Sequence, residues 1–345
     1  MKIVHVVRSL LTTGGVSIFA AEAAGEQARL GHLVSLLYTW LPRYPVCDKV
    51  DARPFKNMNE VLELPDVVHV HALWMREMVR AMFWCWRRRI PYVVSPHGGL
   101  MPRVFTKGRI KKWLVWHFML KPLVRRASAI HCTSSAEVEA CKTLGLKGPF
   151  VVAPLGVKLP ELNDNENKKN VVLFLGRISE EKGLVNLLDV WKLVRHDDWT
   201  LKIAGPNWGY RDILDAKIVN ERIAGVEFVG TADDAKKDSL YREAKVFVLP
   251  SPMENFSMVV LEALAYGVPT IATKGTPWAE LESERCGRWI EQGVEPLRAA
   301  LAELMALSDE ERVEMGARGR ALAAAKYQWP AVAKKLLDCY TEVVG

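Results

Sequence analysis

Two cations follow closely after an apolar segment in the second half of the chain. Residues 171–175 predict a short buried strand, and Arg177 and Lys182 come between this strand and a segment with helical periodicity. A guanidinium offers paired donors in one plane, an ammonium offers a point charge, and a helix start favours anions. The combination predicts a clamp for a diphosphate. The alternative is a solvated turn in which Lys182 pairs with Glu180 or Glu181.

A second group of polar residues follows the predicted strand at 245–249. Ser257 can cap a helix that begins at Met258, so the backbone amides of residues 255–257 point to where an anion or a sugar hydroxyl can bind. Within that helix Glu262 lies among apolar residues, and a carboxylate in such surroundings needs hydrogen-bond partners. The two hydroxyls of a ribose would serve. The alternative is a glutamate that faces solvent.

In the first half of the chain, histidines follow two predicted strands. His97 comes after the strand at 92–95, and His71 comes after the strand at 67–70. At the carboxyl end of a parallel strand an imidazole can donate a hydrogen bond to a hydroxyl or a phosphate. A histidine satisfied by a loop carbonyl is the alternative at both positions. His69 lies within its strand, which favours core packing.

A pair of glycines precedes the first predicted helix. Gly14 and Gly15 allow the backbone to approach a ligand, and the helix start behind them offers N–H groups to a phosphate. A tight turn without a ligand is the alternative. The full set of donor-binding candidates is Gly14, Gly15, Gly176, Asn255, Phe256, Ser257 and Glu262.

Several classes of site are absent from the sequence. It contains neither Gly-x-Gly-x-x-Gly nor Gly-x4-Gly-Lys-Ser/Thr, which disfavours dinucleotide oxidoreductases and P-loop nucleotidases. The six cysteines form no Cys-x-x-Cys pair and no Cys/His cluster at metal spacing, and no Asp-x-Asp occurs. We therefore expect no metal and no other cofactor, and thiols that stay reduced in a cytoplasm.

Short apolar runs alternate with longer segments of helical periodicity, which predicts an α/β class with parallel sheets. The predicted strands lie near 2–7, 33–38, 67–70, 92–95, 129–133 and 150–153, and then near 171–175, 200–204, 226–229, 245–249 and 269–273. Each set makes one doubly wound sheet. We expect two Rossmann-like domains that face across a cleft, at 1–160 and 171–326, joined by a polar linker at 161–170.

The first helix shows how its ends are assigned. Ser17 is a suitable N-cap, and Gly31 is placed to end the helix in a left-handed conformation. The predicted buried stripe consists of Ile18, Phe19, Ala21, Ala24, Ala28 and Leu30.

The ordered set of motifs resembles the family 4 retaining glycosyltransferases, which have the two-Rossmann (GT-B) architecture. The motifs that carry the resemblance are Gly14-Gly15, His97-Gly98, Gly176-Arg177, Lys182-Gly183, Glu254-x7-Glu262, Gly267-Val-Pro269 and Lys274-Gly-Thr-Pro277, and they cover nearly the whole chain. The spacing of two glutamates is not specific, because Glu295 and Glu303 also stand eight apart. What is specific is the order of the whole set of motifs, each of which follows a predicted strand. Asn255 stands where proline is frequent and Ser257 where glycine is frequent.

The resemblance implies a role for each matching residue. Arg177 and Lys182 would hold the donor diphosphate, Glu254 would contact the donor sugar, and Glu262 would bind the ribose hydroxyls. His97 would lie beside the reacting sugar, so the catalytic candidates are His97, Arg177, Lys182 and Glu254. The implied reaction is retaining transfer of a hexose from a UDP- or GDP-sugar without a metal. A final helix at 327–345 would return to the first domain.

Charge is distributed unevenly along the chain. Residues 1–160 contain 23 basic and 10 acidic residues, whereas residues 161–345 contain 24 and 30. The segment 76–126 combines basic and aromatic residues, which suits an anionic lipid surface at about 1 kcal/mol per cation. The alternative is a pair of amphipathic helices with their aromatic residues packed inward. No apolar run approaches the ~20 residues that span a bilayer.

In family terms, the acceptor would be a lipid-linked saccharide or a lipopolysaccharide core. Such enzymes act in surface-polysaccharide biosynthesis. His71 and Arg103 are the candidates on the acceptor side. We expect a cytoplasmic enzyme that is peripheral at the inner face of the membrane.

Three other functions fit parts of the pattern. A sugar-nucleotide epimerase on the same fold would convert its donor without an acceptor. A nucleic-acid-binding protein would use the basic half and leave the diphosphate clamp without a role. A sugar-nucleotide sensor would bind without turnover. We do not expect nucleic acid as a partner.

Overall fold

The chain forms two compact α/β units. The computed structural model describes residues 1–11, 15–42, 44–61, 63–106, 108–162 and 168–345, apart from the side chains at 41, 42, 103 and 109. The first unit comprises Met1–Gly156 and Trp329–Gly345, and the second comprises Val157–Gln328. Each unit contains one parallel sheet of its own. The predicted α/β class with two doubly wound sheets is confirmed.

The first unit is built around seven parallel strands. They are β1 (Lys2–Leu10), β2 (Leu33–Pro42), β3 (Asp51–Pro54), β4 (Val67–His71), β5 (Tyr92–Ser95), β6 (Ala129–Cys132) and β7 (Phe150–Val152). The strand order is β3-β2-β1-β4-β5-β6-β7. Every residue of β4 and β5 is buried, as expected for central parallel strands covered on both faces.

Helices and short turns connect these strands. The α-helices are α1 (Gly15–Arg29), α2 (Arg76–Arg88), α3 (Arg109–Val115), α4 (Lys121–Val124) and α5 (Ser135–Thr143). Two 3-10 turns span Met58–Glu60 and Pro102–Phe105, and a π-helical turn over Trp116–Leu120 joins α3 to α4.

The second unit has six parallel strands. They are β8 (Lys169–Leu175), β9 (Thr200–Ala204), β10 (Val226–Gly230), β11 (Ala244–Leu249), β12 (Thr270–Thr273) and β13 (Gly287–Ile290), in the order β10-β9-β8-β11-β12-β13. Its helices are α6 (Leu184–Val194), α7 (Arg211–Asn220), α8 (Asp234–Glu243), α9 (Met258–Ala265), α10 (Glu280–Ser283), α11 (Val294–Ala306) and α12 (Asp309–Lys326), with a 3-10 turn at Glu180–Lys182.

The final helix, α13 (Trp329–Val344), belongs to the first unit, where it contacts α1 and β7. Trp329 packs so closely on Gly156 that a Cβ there would lie 2.3 Å from the indole ring. Only glycine therefore fits at residue 156. No helix in the described part of the chain combines the length and apolar composition that a membrane span requires.

The unit boundaries differ slightly from the predicted ones. The first unit ends at Gly156, whereas we predicted a boundary at 160, and α13 begins at Trp329. Of the predicted linker at 161–170, residues 163–167 lie outside the described residues. Its last two residues belong to β8.

All eleven predicted strands are present, and two short strands were missed. The missed strands are β3 and β13, which form the edges of their sheets. β3 is largely exposed and contains aspartate and proline, which are poor strand formers. Neither strand has the apolar run that identifies a buried strand.

The two ends of α1 test the helix assignment. Gly31 has φ +88° and follows the helix as predicted. The predicted start was wrong, because α1 begins at Gly15 and Ser17 lies inside it, where its hydroxyl donates to the Ser9 carbonyl at 2.8 Å. Leu30, placed in the buried stripe, is exposed instead.

Candidate active site

The candidate residues of the second unit gather where the strand order reverses. β8 and β11 are neighbours at the centre of the sheet, and the chain leaves them toward opposite edges. In open α/β sheets this point outside the carboxyl ends of the strands is where ligands bind. The turn after β8 touches the segment after β11 there, since a Cβ on Gly183 would lie 2.4 Å from the Pro250 carbonyl oxygen. Gly183 also has φ +69°, a conformation that favours glycine.

An ion pair joins these two segments. The Lys182 ammonium contacts a carboxylate oxygen of Glu254, and the two side chains are only 11% and 14% exposed. The alternative partners proposed for Lys182, its neighbouring glutamates, are therefore wrong. Two of the predicted catalytic residues, which are 72 positions apart in the sequence, are therefore in contact. A nearly buried cation and carboxylate form a site that can hold an anion and a sugar hydroxyl together.

Arg177 has different partners from Lys182. Its guanidinium donates to Glu181 at 2.7 Å and lies 4.3 Å from the ring centre of Trp208. The side chain is more exposed than that of Lys182. Gly176 directly follows β8, and its N–H donates to the Ala204 carbonyl. Arg177 is thus a partly exposed cation stacked on an aromatic ring.

The loop that carries Glu254 is anchored on both sides. The Glu254 N–H donates to the Gly275 carbonyl at 2.9 Å. Phe256 is buried against the ring of Trp278, whose indole N–H donates to the Phe256 carbonyl. The side chain of Phe256 therefore belongs to the core and holds the loop. Asn255 beside it is half-buried.

Ser257 does not cap α9 as predicted. It occupies the N-cap position but makes no side-chain cap bond, because its backbone has φ +72° and ψ +76°, which turns the side chain away from the helix. Its buried hydroxyl oxygen has no hydrogen-bond partner in the described part of the chain. This left-handed conformation explains why glycine is frequent at the matching position of the family.

Glu262 has the hydrogen-bond partners that its surroundings require. Tyr241 donates to one carboxylate oxygen at 2.8 Å, and Lys237 lies 3.5 Å from the other. The alternative of a glutamate facing solvent is wrong. A carboxylate accepts about four hydrogen bonds, so two acceptor positions remain for a diol.

In the first unit, His97 lies in a constrained turn after β5. His97 has φ +50° and Gly98 has φ +77°. The Gly98 N–H donates to Glu137, which also accepts from the Thr133 N–H and hydroxyl at 2.8 and 3.0 Å. Glu137 is fully buried, and burial raises its pKa while these hydrogen bonds lower it. Sequence reasoning missed Glu137, whose only signal is its position in the first turn of α5.

The remaining first-unit candidates lie in different environments. Gly14 and the side chain of Arg103 lie outside the described residues. Gly15 is the first residue of α1, and a Cβ there would lie 3.3 Å from the Leu155 side chain. His71 is fully buried, and its two ring nitrogens contact His5 and His97. The structure thus places His71 behind His97 instead of on an accessible surface.

Five histidines cluster around this position, which the sequence did not predict. They are His5, His69, His71, His97 and His131. Desolvation lowers every one of their pKa values, to about 4 for His5 and His131 and about 3 for His97. Ring nitrogens of three of them, His5, His69 and His71, lie within 4.8 Å of one another. His69 was expected in the core and is buried there.

A basic-aromatic surface covers another part of the first unit. Its exposed apolar residues are Phe83, Trp86, Ile110, Trp113, Leu114, Phe118 and Met119. Phe83, Trp86, Phe118 and Met119 line an open groove of about 1190 Å³, together with Arg80, Arg87, Arg88 and Arg126. The alternative of inward packing holds for Trp116, which is buried, but not for these side chains.

Known proteins match both halves of the chain. Residues 14–156 match the family model described as a glycosyl transferase 4-like domain, and residues 159–322 match the model described as glycosyl transferases group 1. With two doubly wound sheets in the matched segments, the chain belongs to the family 4 glycosyltransferases of the two-Rossmann (GT-B) type.

Individual relatives are distant but extend over much of the chain. An uncharacterized 41.2 kDa protein in the cps region of Klebsiella pneumoniae is 27% identical over 64% of this chain and 63% of its own length. The GDP-mannose:cellobiosyl-diphosphopolyprenol alpha-mannosyltransferase of Xanthomonas campestris is 25% identical over 94% of this chain and 85% of its own. The Anabaena protein HepE, crystallised with UDP and glucose, has a TM-score of 0.78 at 17% identity over 99% of this chain and 100% of that one, a likeness of fold.

Proposed function

We propose that the protein is a retaining, metal-independent glycosyltransferase that moves a hexose from a UDP- or GDP-sugar to a lipid-linked saccharide or lipopolysaccharide acceptor. The part-buried Lys182–Glu254 pair at the reversal of the strand order carries this proposal, because it joins an anion-binding group to a hydroxyl-binding group at the ligand position of the fold. The Xanthomonas relative is named for a nucleotide-linked sugar and a diphosphopolyprenol acceptor, which supports the same substrate classes.

In the proposed reaction, the bond between the sugar C1 and the diphosphate oxygen breaks, and the acceptor oxygen bonds to C1 on the same face. The acceptor proton passes to the leaving phosphate. Lys182 and Arg177 stabilise the negative charge that grows on the diphosphate, so protein cations replace a metal. Glu254 accepts hydrogen bonds from the donor sugar. In the first unit, His97 contacts a hydroxyl of a bound substrate. Glu262 holds the ribose with its two remaining acceptor positions.

The reaction is tested by incubating the purified protein with UDP- and GDP-hexoses and a lipid-linked oligosaccharide in the presence of EDTA. The proposal predicts transfer, with the donor's anomeric configuration retained in the product as read by proton NMR. Inverted product would refute retention, and loss of turnover in EDTA would refute metal independence. Conversion of the donor without any acceptor would indicate an epimerase, and binding without turnover a sensor.

Lys202→Ala provides a matched control for Lys182→Ala. Lys202 is a lysine of the second unit with a similar exposure of 17%. Its ammonium lies 2.6 Å from a carboxylate oxygen of Glu243, which is not one of the proposed site residues. Lys182→Ala loses its ion pair with Glu254, and Lys202→Ala loses its pair with Glu243 and a longer contact with Glu227 at 3.7 Å. Only Lys182→Ala is expected to lower turnover, by about 100- to 1000-fold, as removal of one charge-stabilising donor does. Equal losses in the two variants would mean that Lys182 acts through stability alone.

We propose that the basic-aromatic surface binds an anionic membrane, which places the enzyme at the cytoplasmic face where its lipid acceptor lies. Phe118 is 75% exposed, and it lines the same groove as Arg87 and Arg126. Exposed aromatic rings flanked by cations match the apolar and charged layers of a lipid interface. Residues 1–160 have an excess of 13 positive charges, which acts in the same direction.

Vesicle sedimentation tests this surface. With vesicles rich in anionic lipid, Arg87→Gln/Arg88→Gln/Arg126→Gln is expected to weaken partitioning about 100-fold, because each cation contributes about 1 kcal/mol. Phe118→Ser should also weaken binding, while Val219→Ser, an exposed apolar residue of the second unit, serves as the control. Unchanged partitioning of the triple variant would refute the membrane proposal. Tight, salt-dependent binding to oligonucleotides without donor binding would favour a nucleic-acid partner.

A further inference from the structure

A network of buried polar side chains lies directly behind His97. Its members project from neighbouring strands onto one face of the first sheet, because the parallel register pairs His5 with His69 and His71 with Ser95. Four histidines of the network, His5, His69, His71 and His131, are fully buried. Burying this many imidazoles is costly unless every nitrogen has a hydrogen-bond partner. The pattern of partners therefore determines where each proton lies.

One chain of hydrogen bonds leads to His97. The Gln27 side-chain oxygen on α1 lies 2.7 Å from His5 Nε2. His5 Nδ1 lies 2.9 Å from His71 Nε2, and His71 Nδ1 lies 3.1 Å from His97 Nε2. His5 and His71 thus each direct one ring nitrogen to the Gln27 end of the chain and the other to the His97 end.

A second chain runs parallel to the first and ends on a backbone carbonyl. His131 Nε2 lies 2.7 Å from the Ala153 carbonyl oxygen, and His131 Nδ1 lies 2.6 Å from the Ser95 hydroxyl. The same hydroxyl contacts His69 Nε2, and His69 Nδ1 contacts the Tyr340 hydroxyl of α13.

The protons of the second chain follow from its carbonyl end. A carbonyl only accepts, so neutral His131 donates from Nε2 and accepts at Nδ1. Ser95 then donates to His131 and accepts from His69 Nε2. His69 Nδ1 accepts in turn, so Tyr340 must donate its proton to His69 and presents only a lone pair elsewhere.

The direction of the first chain follows from its Gln27 end. The Gln27 amide oxygen faces His5 Nε2, and an amide oxygen only accepts. His5 then donates to Gln27, His71 donates to His5, and His97 donates from Nε2 to His71.

We infer that His71 and His5 are positioning residues that hold His97 as the Nε2–H tautomer, with Nδ1 as the acceptor for a hydroxyl of the reacting substrates. The assignment of that hydroxyl to a sugar rests on the proposed function. The tautomer itself follows from the network alone. His97 accepts a hydrogen bond at Nδ1 and does not donate one there, which suits the alignment of a hydroxyl.

A metal at His5, His69 and His71 is the competing explanation for this cluster. Two nitrogens bound to one tetrahedral zinc at 2.0–2.1 Å would lie about 3.3 Å apart. The observed 2.9 Å between His5 Nδ1 and His71 Nε2 is a hydrogen-bond distance instead. A metal would also displace the N–H protons that the network requires.

The tautomer is measured by long-range ¹H–¹⁵N NMR of the ¹⁵N-histidine-labelled full chain at pH 7.5, without any substrate. We expect His97 to show a protonated Nε2 and an unprotonated Nδ1, and His71→Phe to leave a mixture of the two tautomers. A protonated Nδ1 in the wild type, or one equivalent of metal by elemental analysis, would overturn the inference. Because no donor is present, this result is independent of the proposed transfer reaction.

Kinetics separate positioning from stability. His69→Phe is the matched control, since His69 is equally buried on the same strand and has two hydrogen bonds but none to His97. His71→Phe is expected to lower kcat about 10- to 100-fold, as loss of an orienting partner does, with the donor KM unchanged. His69→Phe should leave both the His97 tautomer and kcat near wild type. Equal effects of the two variants on the His97 tautomer would overturn the assignment.

Discussion

Acid should destabilise the first unit far more than the second. The perturbation is a change from pH 8 to pH 5. His5 and His131 are fully buried, and desolvation lowers the pKa of each to about 4 from an ordinary 6.5. The unfolded chain therefore binds more protons than the folded chain between pH 6.5 and pH 4. Stability is complete above that window and is lost as the pH falls through it.

The size of the effect follows from the two pKa values. At pH 5 each of these two histidines removes about 2 kcal/mol of the free energy of unfolding. His69 and His71 act in the same direction, because their pKa values are lowered further by burial and by neighbouring imidazoles. Glu137 has the opposite effect on stability, because its pKa is raised, but it is only one group against several histidines. A net loss above about 4 kcal/mol is a large share of a typical 5–15 kcal/mol.

Hydrogen exchange with mass spectrometry measures both units in one experiment. After correction for intrinsic exchange rates, peptides from β4 and β6 should lose protection between pH 8 and pH 5. Peptides from β8 and β11 are the internal control, because the described part of the second unit contains no buried histidine. Unchanged protection in β4 and β6, or equal losses in both units, would refute the desolvated-histidine argument.

Three substitutions test other parts of the structure. Gly183→Ala should destabilise the protein by about 2 kcal/mol or more, because the new Cβ meets the Pro250 carbonyl at φ +69°; full stability in urea unfolding would contradict the contact between the two segments. Ser257→Gly should raise stability by about 1 kcal/mol by relieving the left-handed backbone at φ +72°; a lower melting temperature would show that the hydroxyl contributes a contact. Glu262→Gln should weaken binding of a nucleoside diphosphate about tenfold in calorimetry, since charge-assisted hydrogen bonds exceed neutral ones; unchanged affinity would remove the ribose assignment.

The elements were predictable because their signals are local. An apolar run of four to seven residues identifies a buried parallel strand whatever surrounds it, and all eleven such runs formed strands. Gly31, which has positive φ, was recognised from its position after a helix. The two missed strands, β3 and β13, pair on one side only and have no such run.

Side-chain partners were much less predictable. The location of Lys182 at the ligand edge followed from its strand, but its pairing with Glu254 depends on how β8 and β11 adjoin. The histidine network needs residues from four strands and two helices, whereas the sequence indicated His71 and His97 only as separate candidates at strand ends. Alternation of His69 and His71 on one strand was the available signal, since it places both on the same face.

Capping preferences misled in two places for one reason. Ser17 and Ser257 are suitable N-cap residues, yet tertiary contacts decided their roles. Ser17 is used to tie α1 to the end of β1, and Ser257 adopts the turn that the anchored loop before α9 imposes. A propensity of about 1 kcal/mol cannot resist such contacts.

Binding of a nucleoside diphosphate at Lys182 is the central property proposed for the second unit. Calorimetric titration of the wild type, Lys182→Ala and Lys202→Ala with UDP and with GDP tests this. Loss of one charged hydrogen bond of about 1.5–3 kcal/mol predicts that Lys182→Ala weakens the preferred nucleotide about 10- to 100-fold, with Lys202→Ala unchanged. Equal affinity in Lys182→Ala and the wild type, or no binding of either nucleotide to the wild type, would contradict it.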